Sequence, residues 1–191
     1  MNREAFLRGE RVYLRALNES DAGGNYLQWF NDSEVCRFNN HHRFPYSFQG
    51  ALAYIEFARS TKDALILAIV ASESDEHIGN IALQNIDYLH RSAEYAIVLG
   101  QSAYWGQGYA KEASQLIVDH GFGELNLNRI GCGTYATNIG MQKLARALGF
   151  VQEGVKRSAV FKNHAYVDIY EYGLLREEWN RYRTEGRGNE R

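Results

Sequence analysis

The most chemically pointed run in the chain is Trp105-Gly106-Gln107-Gly108-Tyr109-Ala110. It lies between a strand-like segment ending at Leu99 and a run in which Ala110, Ala113, Ile117 and Gly121 recur at helical spacing. Glycine lets a backbone close in on a ligand. The first turn of a helix leaves its amide N–H groups unpaired and carries about half a positive charge. Together these make a seat for a pyrophosphate. The plainer alternative is a strand–helix turn that happens to contain glycine. The run is not the G-x-G-x-x-G dinucleotide fingerprint, and no Gly-Lys-Ser/Thr follows to make a Walker A loop.

Other constellations carry less. Asn39-Asn40-His41-His42 joins two histidines with no carboxylate or cysteine at ligand spacing, so it reads as a loop and no metal is expected. Cys132, in Ile130-Gly131-Cys132-Gly133, has no histidine partner to activate it and reads as structural. Tyr166, Asp168, Tyr170 and Tyr172 share one strand face by period two. That face is sheet packing with room for a homodimer contact, or a pocket wall in which Asp168 draws in a cation.

These residues need elements to hold them. Arg11–Leu17 alternates and reads as a strand. Asn18–Asp21 offers caps for a helix running to about Phe30, and Asp32 or Ser33 caps a short turn. After a polar loop over 39–47, Ser47 caps a helix with Leu52, Ile55 and Phe57 inward. Ala64–Ala71 is a continuous apolar run, the mark of a buried strand. The turn at 72–77 leads into strands Ile78–Leu89 and Ser92–Leu99, an antiparallel meander. The glycine run and its helix follow, then a strand over Arg129–Tyr135, a helix from Asn138 to Gly149, and a hairpin of Phe150–Phe161 with Tyr166–Leu175. This order is a mixed α/β domain around one central sheet.

Composition bounds the function. The chain has 191 residues, a net charge of -2, 45% hydrophobic and 23% charged residues. That is ordinary globular material, long enough to bury a core without a disulfide or metal. We expect one domain over 1–180 and a fraying polar tail over 181–191. No apolar run approaches the roughly 18 residues of a membrane span. The first residues are charged where a signal peptide needs an apolar core. Two cysteines, Cys36 and Cys132, make no disulfide framework and suit a reducing cytoplasm. Balanced charge argues against nucleic acid and anionic membranes as partners.

Several segments together resemble one family. GERVYLRAL, WFNDSEVCRF, IGNIALQNID, RSAEYAIVL, WGQGYAKEA, FGELNLNRI, NIGMQKLARALGFVQEGV and YVDIYEYGLLREEW stand in the order and near the spacing of the GNAT acetyltransferases. The resemblance is to their ribosomal-protein N-acetyltransferase-like (RimJ/RimL-like) branch, and it covers nearly the whole chain. It implies a GNAT fold: a mostly antiparallel twisted sheet flanked by helices, splayed where the acyl-CoA arm lies. It implies acetyl-CoA as cosubstrate, no metal, and an amine acceptor that is a protein N-terminus or a small amine. Trp105 holds the place where the general family has Gln or Arg. The amides of Gln107, Gly108, Tyr109, Ala110 and Lys111 would hold the pyrophosphate, with Gly106 letting the loop curl. Ile97, Val98 and Leu99 would pair with the amide-rich pantetheine arm by strand addition. Asn138 would touch that arm from the other side while capping its helix.

The chemistry implied is direct attack of an amine on a bound thioester. An amine of pKa near 10 is neutral in about one molecule in a thousand at pH 7, a cost of about 4 kcal/mol. Glu94 matches the acidic position of related enzymes such as spermidine acetyltransferase, and would accept the proton directly or through water. Its alternatives are a solvated strand carboxylate or one paired with Arg91. A strand amide near Val98 or Leu99 would polarise the carbonyl. The family's two usual donors to the leaving thiolate are absent: their places hold Ala145 and Met141. Tyr135 or water would then supply the proton, or the chain is a silent acetyl-CoA-binding module with a regulatory role. The segment from Asn39 to Tyr46 would lie near the acceptor, bringing His41, His42, Arg43 and Phe44 to it. A polyamine acceptor would call for clustered carboxylates, of which Glu73, Asp75 and Glu76 are the one group in view.

Overall fold

The structure is a computed structural model and describes residues 4–186. One eight-stranded sheet runs in the order β1-β2-β3-β4-β5-β6-β8-β7. Its first half is an antiparallel run of β1 (Leu7–Arg8), β2 (Val12–Ala16), β3 (Leu65–Ala71), β4 (His77–Asp87) and β5 (Ser92–Leu99). Its second half is β6 (Arg129–Tyr135), β8 (Ala165–Leu175) and the edge strand β7 (Val151–Lys162), again antiparallel. The halves meet at the one parallel pairing, β5 on β6. That ladder runs only from Ser92↔Arg129 to Glu94↔Gly131. Beyond it the strands part.

The sheet is apolar on both faces, as a buried central sheet must be. On one face α3 (Tyr109–Gly123), α4 (Ile139–Ala147) and α5 (Arg176–Gly186) cover a core that includes Ile69, Ile81, Leu83, Ile117, Ile130 and Leu174. On the other, α1 (Tyr26–Trp29) and α2 (Phe48–Ser60) close a second core around Tyr26, Trp29, Ile55, Ala68 and Val70. Caps read from sequence are made. The Ser47 hydroxyl accepts from the Gly50 amide at 3.1 Å, and Asn138 Oδ1 accepts from the Met141 amide at 3.1 Å.

Three expectations are corrected. The helix expected over 18–30 breaks into a 3-10 turn at Glu19–Gly23 and the short α1, because Gly23 and Gly24 interrupt it. Phe57 is exposed, not inward: α2 buries Ala51 and Ile55, and Phe57 falls on the opposite side. Residues Arg181 to Gly186, given to the tail above, lie within α5. That helix is anchored by Trp179, buried beside Phe122 and donating to Asp119 at 2.8 Å. Residues 187–191 of the expected tail lie outside the described residues.

A polar cluster ties the second core together. Arg15 grips Asp21 through two bonds of 2.8 and 2.6 Å, and His77 Nδ1 lies 3.2 Å from the same carboxylate. His77 Nε2 reaches the Gly79 carbonyl and Asn80 Oδ1, and its ring stacks on Tyr26. Burial alone would raise the Asp21 pKa. The bonds from Arg15, His77 and the Asn18 amide outweigh it and hold the group well below the carboxylate range. A depressed folded pKa gives stability that is complete above the ordinary carboxylate pKa near 4 and lost as pH falls through it. Asp21→Asn leaves Arg15 buried without its charge partner and should cost about 3–5 kcal/mol, read by urea denaturation at pH 7. The gap to the parent should narrow as pH falls below about 4, where the unfolded parent's carboxylate takes up a proton while the folded one keeps its charge.

Candidate active site

The parting of β5 and β6 is the feature from which the site is built. Past Glu94↔Gly131, the backbone of β5 from Tyr95 to Leu99 keeps its partner β4 on one edge and loses β6 on the other. Unpaired strand edges need hydrogen-bonding partners. Both α3 and α4 begin just beyond the carboxyl ends of these strands, so two helix N-termini converge where the fork is widest.

The glycine run takes the conformation its residues allow. Gly106 has φ +71° and Gly108 φ +90°, left-handed values that glycine adopts without strain. Gly108 is the N-cap of α3, leaving the first-turn amides of Tyr109, Ala110 and Lys111 without helical acceptors. Trp105 Nε1 donates to the Leu99 carbonyl at 2.7 Å, tying the loop to the end of β5. Gln107 Nε2 donates to the Ala103 carbonyl, which leaves its backbone amide for a ligand. Arg11, unmarked by any motif, lies at the loop. It donates to the Gln107 carbonyl at 2.7 Å and stacks on the Tyr109 ring at 4.1 Å. Glu112 accepts from the Arg11 amide at 2.9 Å, fastening the first turn of α3 to β2. The open amides, the two left-handed glycines and this nearby guanidinium suit a pyrophosphate.

Side chains alternate across β5. Tyr95 faces α3, its hydroxyl 2.6 Å from Ser114 Oγ, and Ile97 and Leu99 pack on the same core. Glu94 and Val98 therefore face the other side, over the second core. Glu94 is exposed at the crotch of the fork. β4 carries a register irregularity directly opposite, between Gln84 and Asp87. There Asn85 takes φ +50°, which Asn tolerates better than most residues, and its Nδ2 donates to Glu94 Oε2 at 2.9 Å. The alternative pairing with Arg91 is not made: Arg91 binds Asn126 instead.

A cavity of about 220 Å³ opens on this face beside the unpaired length of β5. Ala96 and Val98 of β5 and Asn80 and Gln84 of β4 form its floor. Tyr26, Phe30, His41, Tyr46 and Tyr54 wall it. Tyr26 and Tyr46 hydroxyls lie 3.3 Å apart, and burial raises the pKa of Tyr26, Tyr46 and Tyr54, so all three stay neutral. The His41 ring packs on Phe30 at 4.5 Å; burial first and the Lys162 ammonium second lower its pKa.

The structure brings some expected residues together and scatters others. Tyr135, at the end of β6, shares the cavity's face and donates to Asn40 Oδ1 at 2.9 Å. Burial raises its pKa, with Arg43 opposing. Arg43 donates to Asn40 Oδ1 and to the Phe161 carbonyl at 2.9 Å, and Lys162 Nζ donates to the Cys36 and Asn39 carbonyls. The tip of the last hairpin thus holds the loop over 39–46. Phe44 is 85% exposed and lies outside the cavity lining. Asp168 Oδ1 accepts from the Ser158 amide at 2.7 Å, in the irregular stretch of β7. Glu76 binds Gln101 and Tyr104, and Asp75 binds Tyr13, so neither lines the cavity. Ala145 is fully buried and Met141 packs beside it in the core. Burial pushes the Cys132 thiol up to about 12, far from a thiolate at neutral pH. Among the described residues no three His, Cys, Asp or Glu side chains group to hold a metal, and no helix is long and apolar enough to cross a membrane.

Comparison with known proteins accords with this geometry. The family model described as an acetyltransferase (GNAT) domain matches residues 11–151. The uncharacterized N-acetyltransferase p20 of Bacillus licheniformis is 33% identical over 172 residues, covering 89% of this chain and 96% of its own. The spermidine N(1)-acetyltransferase of Vibrio cholerae is 30% identical over 181 residues, covering 94% and 97%. A crystal structure of the Vibrio cholerae spermidine N-acetyltransferase in complex with CoA and spermine shares the fold. Its TM-score is 0.81 at 23% identity, covering 90% of this chain and 99% of that one. An eight-stranded forked sheet, a glycine-capped helix at the fork and a family match across most of its length make this chain a GNAT acetyltransferase, an enzyme that draws its acyl group from acetyl-CoA.

Proposed function

We propose that this enzyme moves the acetyl group of acetyl-CoA to a primary amine by direct attack in a ternary complex. The carrying observation is the fork. One unpaired strand edge runs from the carboxylate at Glu94 to the loop at Gly106–Gly108, with a cavity on the carboxylate's face. The pantetheine amides pair with the free edge at Ile97, Val98 and Leu99, and the pyrophosphate rests on the amides from Gln107 to Lys111. Asn138, at the N-terminus of α4, faces the arm across the fork while it caps that helix. The acceptor enters from the cavity. It is a protein N-terminus or a small amine, as in the ribosomal-protein N-acetyltransferase-like branch that the sequence resembles. The reaction belongs in the cytoplasm, where two free cysteines stay reduced.

Glu94 takes the ammonium proton, directly or through one water, and releases the free amine. Its bond from Asn85 fixes one carboxylate oxygen and leaves the other to the substrate. The amine attacks the thioester carbon, while a β5 amide near Val98 or Leu99 polarises the carbonyl. Collapse expels the CoA thiolate. Tyr135 hands it a proton, water being the rival donor, since neither Ala145 nor Met141 has one to give. The high thiol pKa of Cys132 argues against an acetyl-cysteine intermediate.

Three variants test this. Glu94→Gln keeps the Asn85 bond and the exposed position, so acetyl-CoA affinity should hold by calorimetry. Its kcat/KM with any accepted amine should fall at least tenfold, in the range of a lost general base. Gly108→Ala puts a side chain at φ +90° and should weaken acetyl-CoA binding about tenfold, with a cost of about 1–2 kcal/mol. Tyr135→Phe should lower kcat at unchanged acetyl-CoA affinity. An unchanged kcat assigns the thiolate's proton to water. Tight acetyl-CoA binding with no thiol release from any amine would instead favour a silent binding module.

A further inference from the structure

Polyamine acetyltransferases are among the relatives, yet the cavity is built for a different guest. No Asp or Glu lines it. The carboxylate behind its floor, Asp21, is already matched by Arg15 and His77. Glu94 stands next to Gln84 at one end, and its charge is needed for the reacting amine. Two cations stand at the loop that covers the cavity: Lys162 binds the Cys36 and Asn39 carbonyls and is close enough to lower the His41 pKa, and Arg43 holds Asn40. A polyamine keeps one or more ammonium groups besides the one that reacts. Burying each without a counter-charge costs several kcal/mol. An aromatic face can repay part of that by cation–π attraction, which does not close the gap.

What the walls offer is apolar surface. Tyr26, Phe30, Tyr46 and Tyr54 present rings, and Asn80 and Gln84 supply the polar contacts. The Asn80 carboxamide is oriented by His77, whose Nε2 lies 2.9 Å from its oxygen. The volume, about 220 Å³, sits below the range of about 300–1,000 Å³ typical of ligand pockets, so the guest is compact.

We propose that the acceptor is a compact primary monoamine with an aromatic or branched apolar body and no second cationic centre. The proposal rests on the cavity's being the acceptor side of the fork, and the test separates the two. Binding of 2-phenylethylamine and of spermidine is measured by calorimetry to the full-length enzyme saturated with CoA, and turnover of each by thiol release from acetyl-CoA. The expected result is at least tenfold tighter binding and at least tenfold higher kcat/KM for 2-phenylethylamine. In the Ala96→Asp variant, which puts a carboxylate on the cavity floor, the preference should shift toward spermidine. Tighter binding of 2-phenylethylamine without turnover supports the guest's chemistry and removes the transfer reading. Spermidine binding as tightly, or neither amine binding, overturns the guest's chemistry. Turnover of spermidine in that case leaves the transfer reading standing.

Discussion

Everything in this molecule depends on a ladder that stops. β5 and β6 pair in parallel from Ser92↔Arg129 to Glu94↔Gly131 and no further. Each strand is held elsewhere. β5 is laced to β4 along its length, and Tyr95 bridges it to α3 through Ser114. β6 is laced to β8 over its whole length, and Gln142 of α4 donates to the Ala136 carbonyl just beyond it. The two halves of the sheet are thus each laced internally, and they meet at this short ladder and in the core under α3 and α4. Between them, the fork-side edge of β5 beyond Glu94 has no partner strand, and only its end is met, where the Leu99 carbonyl accepts from Trp105 Nε1. An amide-bearing chain of the right length satisfies that edge, and the pantetheine arm of acetyl-CoA is such a chain.

The fork also separates tasks by face. Odd positions of β5 pack toward α3, where the large core keeps the helix and its glycine cap in place. Even positions look to the other side, where Glu94 meets Asn85 and the cavity begins. A one-residue slip of β5 would exchange these roles entirely. The register is protected by what it buries: Tyr95 is held under α3, and a side chain on Gly79 would collide with the backbone of β5. Loop 39–46 is held over the cavity from several sides: the distant β7–β8 hairpin grips it through Lys162 and the Phe161 carbonyl, Tyr135 binds Asn40, and Asn31 binds the Tyr46 backbone.

Much of this was legible in the residues. The limits of β5 and β6, the caps at Ser47 and Asn138, and the glycine cap of α3 follow from alternation and turn chemistry that act locally. The broken helix before Phe30 was also readable, since Gly23-Gly24 stands in its middle. The continuation of α5 was not, because it rests on the burial of Trp179 against a helix distant in sequence. The cavity was hardest. Tyr26, Tyr46, Tyr54, Asn80 and Gln84 share no spacing, and they meet only when α1, α2 and β4 are stacked. One trace was present: Asn80 and Gln84 are polar positions of equal parity within the apolar middle of β4, from Ile78 to Gln84. Arg11 carried no local signal, since its place beside the glycine loop depends on Glu112 fastening α3 to β2.

Hydrogen–deuterium exchange of the enzyme with and without acetyl-CoA tests the central claim most directly. The account predicts slowed exchange in residues 95–99 and 106–111, the free edge of β5 and the cradle, with little change in β2 and β3. Unchanged exchange along 95–99 in an enzyme saturated with acetyl-CoA would contradict it, for the arm would then lie somewhere other than the fork.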